Sequence, residues 1–228
     1  MGWQGLLFFA MRYKIPAMTS PAYNLCVFVG RFQPLHAGHV HVMRQALEHA
    51  DRLVVLVGSA NRPRSSVNPF TARERIGVIR EALGHDPRVL VTPVADSHND
   101  VSDWTRRVEA AVNALRQSSS DTVALIGHAK DASSYYLKLF PRWSSIDVPQ
   151  HRELSATHLR DRFFAGAAEA KAFLSEQEAL AETPAAVLPL ATVRFLREFV
   201  ATPVYGTLAQ RYRATALPGY NPSPTPTV

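Results

Sequence analysis

Apolar and polar positions along the chain fall into two alternating textures. Short, nearly unbroken apolar runs rich in β-branched residues occur at "LCVFVGRF", "RLVVLVGSA", "RVLVTPVAD" and "TVALIGHA", with a weaker one at "SSIDV". Runs of this length and composition read as strands buried on both faces. Between them lie segments with a 3.6-residue rhythm. In "HAGHVHVMRQALEHA" the residues Val40, Met43 and Leu47 recur on one face. "TARERIGVIREAL" carries Ile76, Ile79 and Leu83, and Thr71 with Glu74 forms a capping-box pattern at its start. "DVSDWTRRVEAAVNALRQ" places Val101, Trp104, Val108, Val112 and Leu115 on one side. A short helix is expected over "SSYYLKLF", and after the fifth strand only helices follow: "SATHLRDRFFAG", "AEAKAFLSEQ" and "TVRFLREFV".

Strands alternating with helices predict an α/β fold, a doubly wound parallel sheet of Rossmann-like type with C-terminal helices. Ligands in such folds bind at the carboxyl ends of the strands. The unusual segments "GRFQPLHAGH", "GSANRPRSSVNPF", "ADSHND" and "GHAKDASSYY" all fall there. Residues 1–20 are expected outside the fold, 21–218 form the domain, and the tail 219–228, rich in proline, is expected to be extended.

Composition narrows the picture only slightly. Of 228 residues 46% are hydrophobic and 19% charged, ordinary for a globular chain, and the net charge of +6 suits an anionic partner. A single cysteine, Cys26, argues against a disulfide framework or a zinc site and fits a reducing, cytoplasmic setting. No apolar stretch is long enough for a membrane helix.

The first loop carries the candidate chemistry. His36 and His39 stand at a helix start, where free N–H groups and the helix dipole favour an anion. Three residues apart, they share a helix face, and Gly38 lets a phosphate approach the main chain. Neither GxGxxG nor GxxxxGK[ST] is present. From these residues alone, phosphate binding, a metal pair and plain helix-start polarity all stay open.

"HAGH" after "GRFQP" resembles the HxGH signature of the nucleotidylyltransferase superfamily, and "LSATHLRDRF" resembles its second signature, ISxTxxR, with Leu154 for the usual Ile. With "GSANRPRSSVNPFTARER" and "IGHAKDASSYYLKLFPRW", the chain resembles the nicotinamide-nucleotide adenylyltransferases of the bacterial bifunctional type over about residues 24–220. That type carries a C-terminal Nudix hydrolase domain. Nothing here reads as a Nudix box, so no pyrophosphohydrolase activity is expected. A basic residue that often precedes the Asn-Pro-Phe is replaced by Val67, with Arg62 or Arg64 as substitutes.

The resemblance implies adenylyl transfer from ATP to nicotinamide mononucleotide, giving NAD and pyrophosphate, with Mg²⁺ held mainly by ATP rather than by a protein metal site. It implies catalytic roles for His36, His39 and Arg160. ATP contacts would come from Gly30, Arg31, Phe32, Gly38, Ser155 and Thr157. The mononucleotide would meet Asn68, Asn99, Trp104, Gly127, His128 and Asp131. Trp104 has two readings, stacking on the nicotinamide ring or packing in the core beside Val101 and Val108. As residues facing a solvent-filled cleft, His39 and Arg160 are expected to matter little to stability. The expected partners are ATP and the mononucleotide, without nucleic acid or membrane, and with room for a homo-oligomer. The competing readings are another HxGH enzyme with a different phosphorylated acceptor, and a non-catalytic nucleotide sensor or nucleic-acid binder on the same scaffold.

Overall fold

The computed structural model describes residues 21–97, 100–127, 139–149, 154–181 and 183–215. Five strands, β1 (Tyr23–Gly30), β2 (Ala50–Val57), β3 (Val89–Pro93), β4 (Val123–Gly127) and β5 (Ser144–Asp147), form one sheet in the order β3-β2-β1-β4-β5. Every pairing is parallel. The helices are α1 (Ala37–His49), α2 (Ala72–Ala82), α3 (Val101–Asn113), α4 (Ala156–Phe164), α5 (Ala167–Ala179), α6 (Leu190–Val200) and α7 (Pro203–Thr215). The doubly wound parallel sheet expected from the sequence is the one observed.

The unbroken apolar runs are explained by burial on both faces. Cys26, Phe28, Leu53, Val55 and Val57 pack with Val40, Met43 and Ala46 of α1 and with Val78 and Ile79 of α2. Their neighbours Leu25, Val27, Val29, Val54 and Leu56 point the other way, onto Trp104, Val108 and Val112 of α3. The Thr71–Glu74 capping box forms as the sequence predicts. β5 is one of the two edge strands and is mostly exposed, which accounts for its weak pattern.

A third core lies beyond the sheet, where α4, α5, α6 and α7 close around Phe70, Phe163, Phe164, Phe173, Leu196 and Phe199. The last of these helices is absent from the sequence reading. Pro203 and Gly206 interrupt its pattern, yet Tyr205, Leu208 and Ala209 are buried in this core. The expected segments 1–20 and 219–228 lie outside the described residues, as does most of "SSYYLKLF".

In this strand order β1 is central, with β2 and β3 on one side and β4 and β5 on the other. The chain therefore reverses its direction of winding next to β1, and a crevice at the carboxyl ends of the strands is the place where such sheets bind ligands.

Candidate active site

The loop leaving β1 is built tightly. A side chain on Gly30 would place its Cβ 2.7 Å from the Phe32 ring, so only glycine fits there. Phe32 is buried, at φ 52°, and meets His39 edge-on with ring centroids 5.0 Å apart. The Gln33–Pro34 peptide is cis. Phe32 thus acts as a wedge beneath the histidines.

His36 is the N-cap of α1, and its main-chain N–H donates to Nδ1 of His39 at 3.2 Å. That bond makes Nδ1 the acceptor, so the proton of a neutral His39 ring sits on Nε2. Burial, and secondarily the neighbouring His36, hold the His39 pKa well below its usual value. The two rings stack with centroids 3.6 Å apart. His39 is therefore a neutral imidazole with one N–H to offer, at the N-terminus of a helix.

The second signature abuts the first. A Cβ on Gly38 would lie 3.2 Å from the His36 ring and 3.9 Å from Cδ1 of Leu154. Ser155 is the N-cap of α4 and is half-buried; its side chain makes no cap bond. Arg160 is only 6% exposed. Its Nη1 donates to the Gln33 carbonyl at 2.7 Å and its Nη2 to Oγ1 of the exposed Thr157 at 3.0 Å. Its Nε–H has no acceptor among the described residues. Arg31 stands at the end of β1; burial lowers its pKa and Asp96 partly restores it. Its charge is felt by both Arg75 and Arg160. The structure thus gathers His36, His39, Gly30, Arg31, Phe32, Gly38, Ser155, Thr157 and Arg160 at one end of the sheet. It also revises one expectation: Arg160 is held in the packing, so it contributes to stability as well as to any ligand.

The loop after β2 is fixed by ion pairs. Arg64 grips Glu74 with two bonds of 2.9 and 2.6 Å and also donates to the Pro69 carbonyl. Arg62 pairs with Asp96 at 3.0 Å, and Asp96 also accepts from the Ser59 N–H. Both arginines considered as substitutes at Val67 are thus matched locally, while Val67 itself is 47% exposed. The Ser65 N–H donates to the Asn68 carbonyl and the Asn68 N–H to the Ser65 hydroxyl, while the buried Oδ1 of Asn68 has no partner among the described residues.

For the remaining candidates the placement is less uniform. Trp104 is 3% exposed, its ring 6.0 Å from that of Phe140, so among the described residues it packs in the core. Gly127 ends β4 and is buried, its carbonyl accepting from Val148. Asn99, His128 and Asp131 lie outside the described residues.

Sequence reasoning missed two buried polar residues that hold these parts together. The Gln33 side-chain amide donates to the Phe70 carbonyl and accepts its N–H, at 2.9 and 3.0 Å, so it mimics a strand partner. Arg75 donates to four main-chain carbonyls. Their positions inside "GRFQP" and "TARER" were the available signal.

A family profile described as cytidylyltransferase-like matches residues 27–160, from the middle of β1 to Arg160. The chain belongs to that family. A nicotinamide/nicotinic acid mononucleotide adenylyltransferase from Acinetobacter baylyi is 35% identical over 195 residues, covering 84% of this chain and 95% of the relative. Within the cytidylyltransferase-like family the chain therefore groups with the nicotinamide-nucleotide adenylyltransferases. Among solved structures it is similar to a bifunctional NMN adenylyltransferase/ADP ribose pyrophosphatase from Francisella tularensis, at 27% identity and a TM-score of 0.72 over 85% of this chain. A second structure of that type, complexed with AMP and a manganese ion, matches at 25% identity and a TM-score of 0.70. The chain spans 54% of the length of each of these two structures. No helix among the described residues is long and apolar enough to cross a membrane.

Proposed function

We propose that the chain transfers the adenylyl group of ATP to nicotinamide mononucleotide, yielding NAD and pyrophosphate. The observation that carries this reading is the joining of the two signatures: Arg160 on the Gln33 carbonyl, and Leu154 beside Gly38. A 5′-phosphate oxygen of the mononucleotide attacks the α-phosphorus of ATP. The bond from that phosphorus to the bridging oxygen breaks, and its electron pair leaves with pyrophosphate. The nucleophile is already an anion at neutral pH, so no general base is needed. The protein's task is positioning and charge neutralisation.

His39 donates from Nε2, the dipole of the α1 N-terminus favours negative charge, and Arg31 and Arg160 supply fixed positive charge around the phosphates. Gly30 and Phe32 shape the floor of the loop, and Ser155 and Thr157 line the start of α4. Asn68, whose buried side-chain oxygen has no partner among the described residues, and Gly127 would meet the mononucleotide, with Asn99, His128 and Asp131 in the acceptor roles that the resemblance implies; Trp104 packs in the core instead. A divalent ion would be carried mainly on phosphate oxygens and water, as the resemblance implies. Bound there, Mg²⁺ would supply charge screening for the leaving pyrophosphate.

Purified protein supplied with ATP, Mg²⁺ and nicotinamide mononucleotide should form NAD, detected by a coupled dehydrogenase. The nicotinic acid analogue should be the poorer acceptor. Equal or higher kcat/KM with that analogue would overturn the acceptor preference, and turnover only with an unrelated phosphorylated acceptor would overturn the reaction.

A further inference from the structure

A parallel sheet ends in carbonyl oxygens that accept no further ladder bond. Each is the negative end of a peptide dipole, and here they stand where the substrates' phosphates must come. Arg75, in the first turn of α2, meets them. It is 3% exposed. Its Nη1 donates to the Arg31 carbonyl at 2.8 Å and to the Gly58 carbonyl at 2.7 Å, just past the ends of β1 and β2. Its Nη2 reaches the Ser59 carbonyl at 3.3 Å, and its Nε the Thr71 carbonyl at 3.2 Å. Four of the five guanidinium N–H groups, by the usual count, are thus spent on main-chain oxygens. Ser59 is held from both sides in the left-handed region, at φ 51°, its N–H on Asp96 and its carbonyl on Arg75.

None of the ion pairs among the described residues includes Arg75. Burial and the nearby Arg31 lower its pKa to about 10, while the fields of Asp96 and Glu74 act in the opposite sense. A cation this deep without a contacting carboxylate is costly unless something balances it. Its donors leave it unable to grip a ligand, so its action on one must be through the carbonyls and through its field.

We infer that Arg75 is a positioning residue of the phosphate site: it masks the carbonyl ends of β1 and β2, holds Arg31 by its main chain, and is charge-balanced by the substrates' phosphates. The inference rests on the adenylyl-transfer reading above. It explains why a guanidinium, with its planar fork, stands at a place where a lysine ammonium could reach only part of the set.

The test compares ATP with adenosine, which shares the base and ribose but carries no charge. Wild type, Arg75→Lys and Arg75→Gln are titrated with ATP by calorimetry and with adenosine by ligand-observed NMR, alongside thermal melts. ATP affinity should fall in the order wild type, Lys, Gln, with Gln weaker than wild type by about 10- to 100-fold, the scale of a lost interaction with a charged group. Adenosine affinity should stay within about twofold, a change too small for such a loss. Parallel loss of ATP and adenosine would overturn the inference, because a merely structural residue distorts the whole site. Unchanged ATP binding would also overturn it. If the Gln variant does not fold, the Lys variant decides alone: it must lose ATP affinity by at least threefold with adenosine held, or the inference fails. A wild-type protein that binds no ATP would instead sink the adenylyl-transfer reading.

Discussion

Replacement of Arg160 by Ala separates its two roles. In the folded protein this guanidinium donates to the buried Gln33 carbonyl at 2.7 Å and to Thr157 at 3.0 Å, while its Nε–H has no acceptor among the described residues. Loss of the first bond strands a buried carbonyl, at a cost of about 1–3 kcal/mol. For a domain of this size that lowers Tm by roughly 2–4 °C per kcal/mol. A typical native stability of about 5–15 kcal/mol keeps such a variant folded at 25 °C. If the remaining donors meet the departing pyrophosphate, kcat should fall by about 10²–10³-fold, as for loss of one preorganised donor to a developing charge. Steady-state kinetics with the coupled dehydrogenase, run beside a melt, reads both. ATP binding should weaken less than kcat falls, because the contact strengthens as charge builds. Arg160→Lys should restore part of the Tm and little of the rate, since an ammonium cannot reproduce a two-pronged contact. An Arg160→Ala protein with reduced Tm and wild-type kcat would refute the argument and leave Arg160 as a tie between α4 and the β1 loop.

Three further outcomes follow from the same geometry. His39 has a folded-state pKa depressed below its ordinary value of 6.5, so the unfolded chain binds the proton first; stability is full above that value and declines as pH falls below it. The slope of Tm against pH between about 5 and 7 should be shallower for His39→Gln than for wild type, and equal slopes would contradict the neutral, half-buried imidazole. The Cys26 thiol is buried in β1 and pushed up to about 12, so a thiol reagent at pH 8 should modify it only after denaturant is added; rapid labelling of native protein would count against this packing. Trp104→Ala should cost about 3–5 kcal/mol by emptying a core site, measured by chemical denaturation, and a stable variant with only a raised mononucleotide KM would favour ring stacking instead.

The sheet was legible because burial on both faces writes itself as apolar runs, and the 3.6-residue rhythm gave the α1, α2 and α3 faces directly. The histidine loop was legible as a motif. Its supports were not. Gln33 and Arg75 act on main-chain atoms 37 and 44 positions away, and no local pattern records such partners. Arg62 and Arg64 looked like free charge because a sequence counts cations without showing that Asp96 and Glu74 neutralise them. For Trp104, periodicity fixed the helix face but not what lies opposite. The last helix escaped because Pro203 and Gly206 masked a stripe of Tyr205, Leu208 and Tyr212 that tertiary packing completes.

The bond from Arg160 to Gln33 spans 127 positions, and α4, which carries that arginine, is in turn held by the Tyr205 hydroxyl on the Phe163 carbonyl, 42 positions further on. During synthesis the first histidine motif therefore leaves the ribosome long before its counterpart exists. The sheet can zip up while the candidate site is still half-built, and on the adenylyl-transfer reading ATP would gain its full grip only when the last helices dock. Ribosome-stalled chains ending near residue 150 should accordingly retain no nucleotide on a spin column, whereas chains with α7 fully emerged should; retention by the shorter chains would show that the first motif suffices.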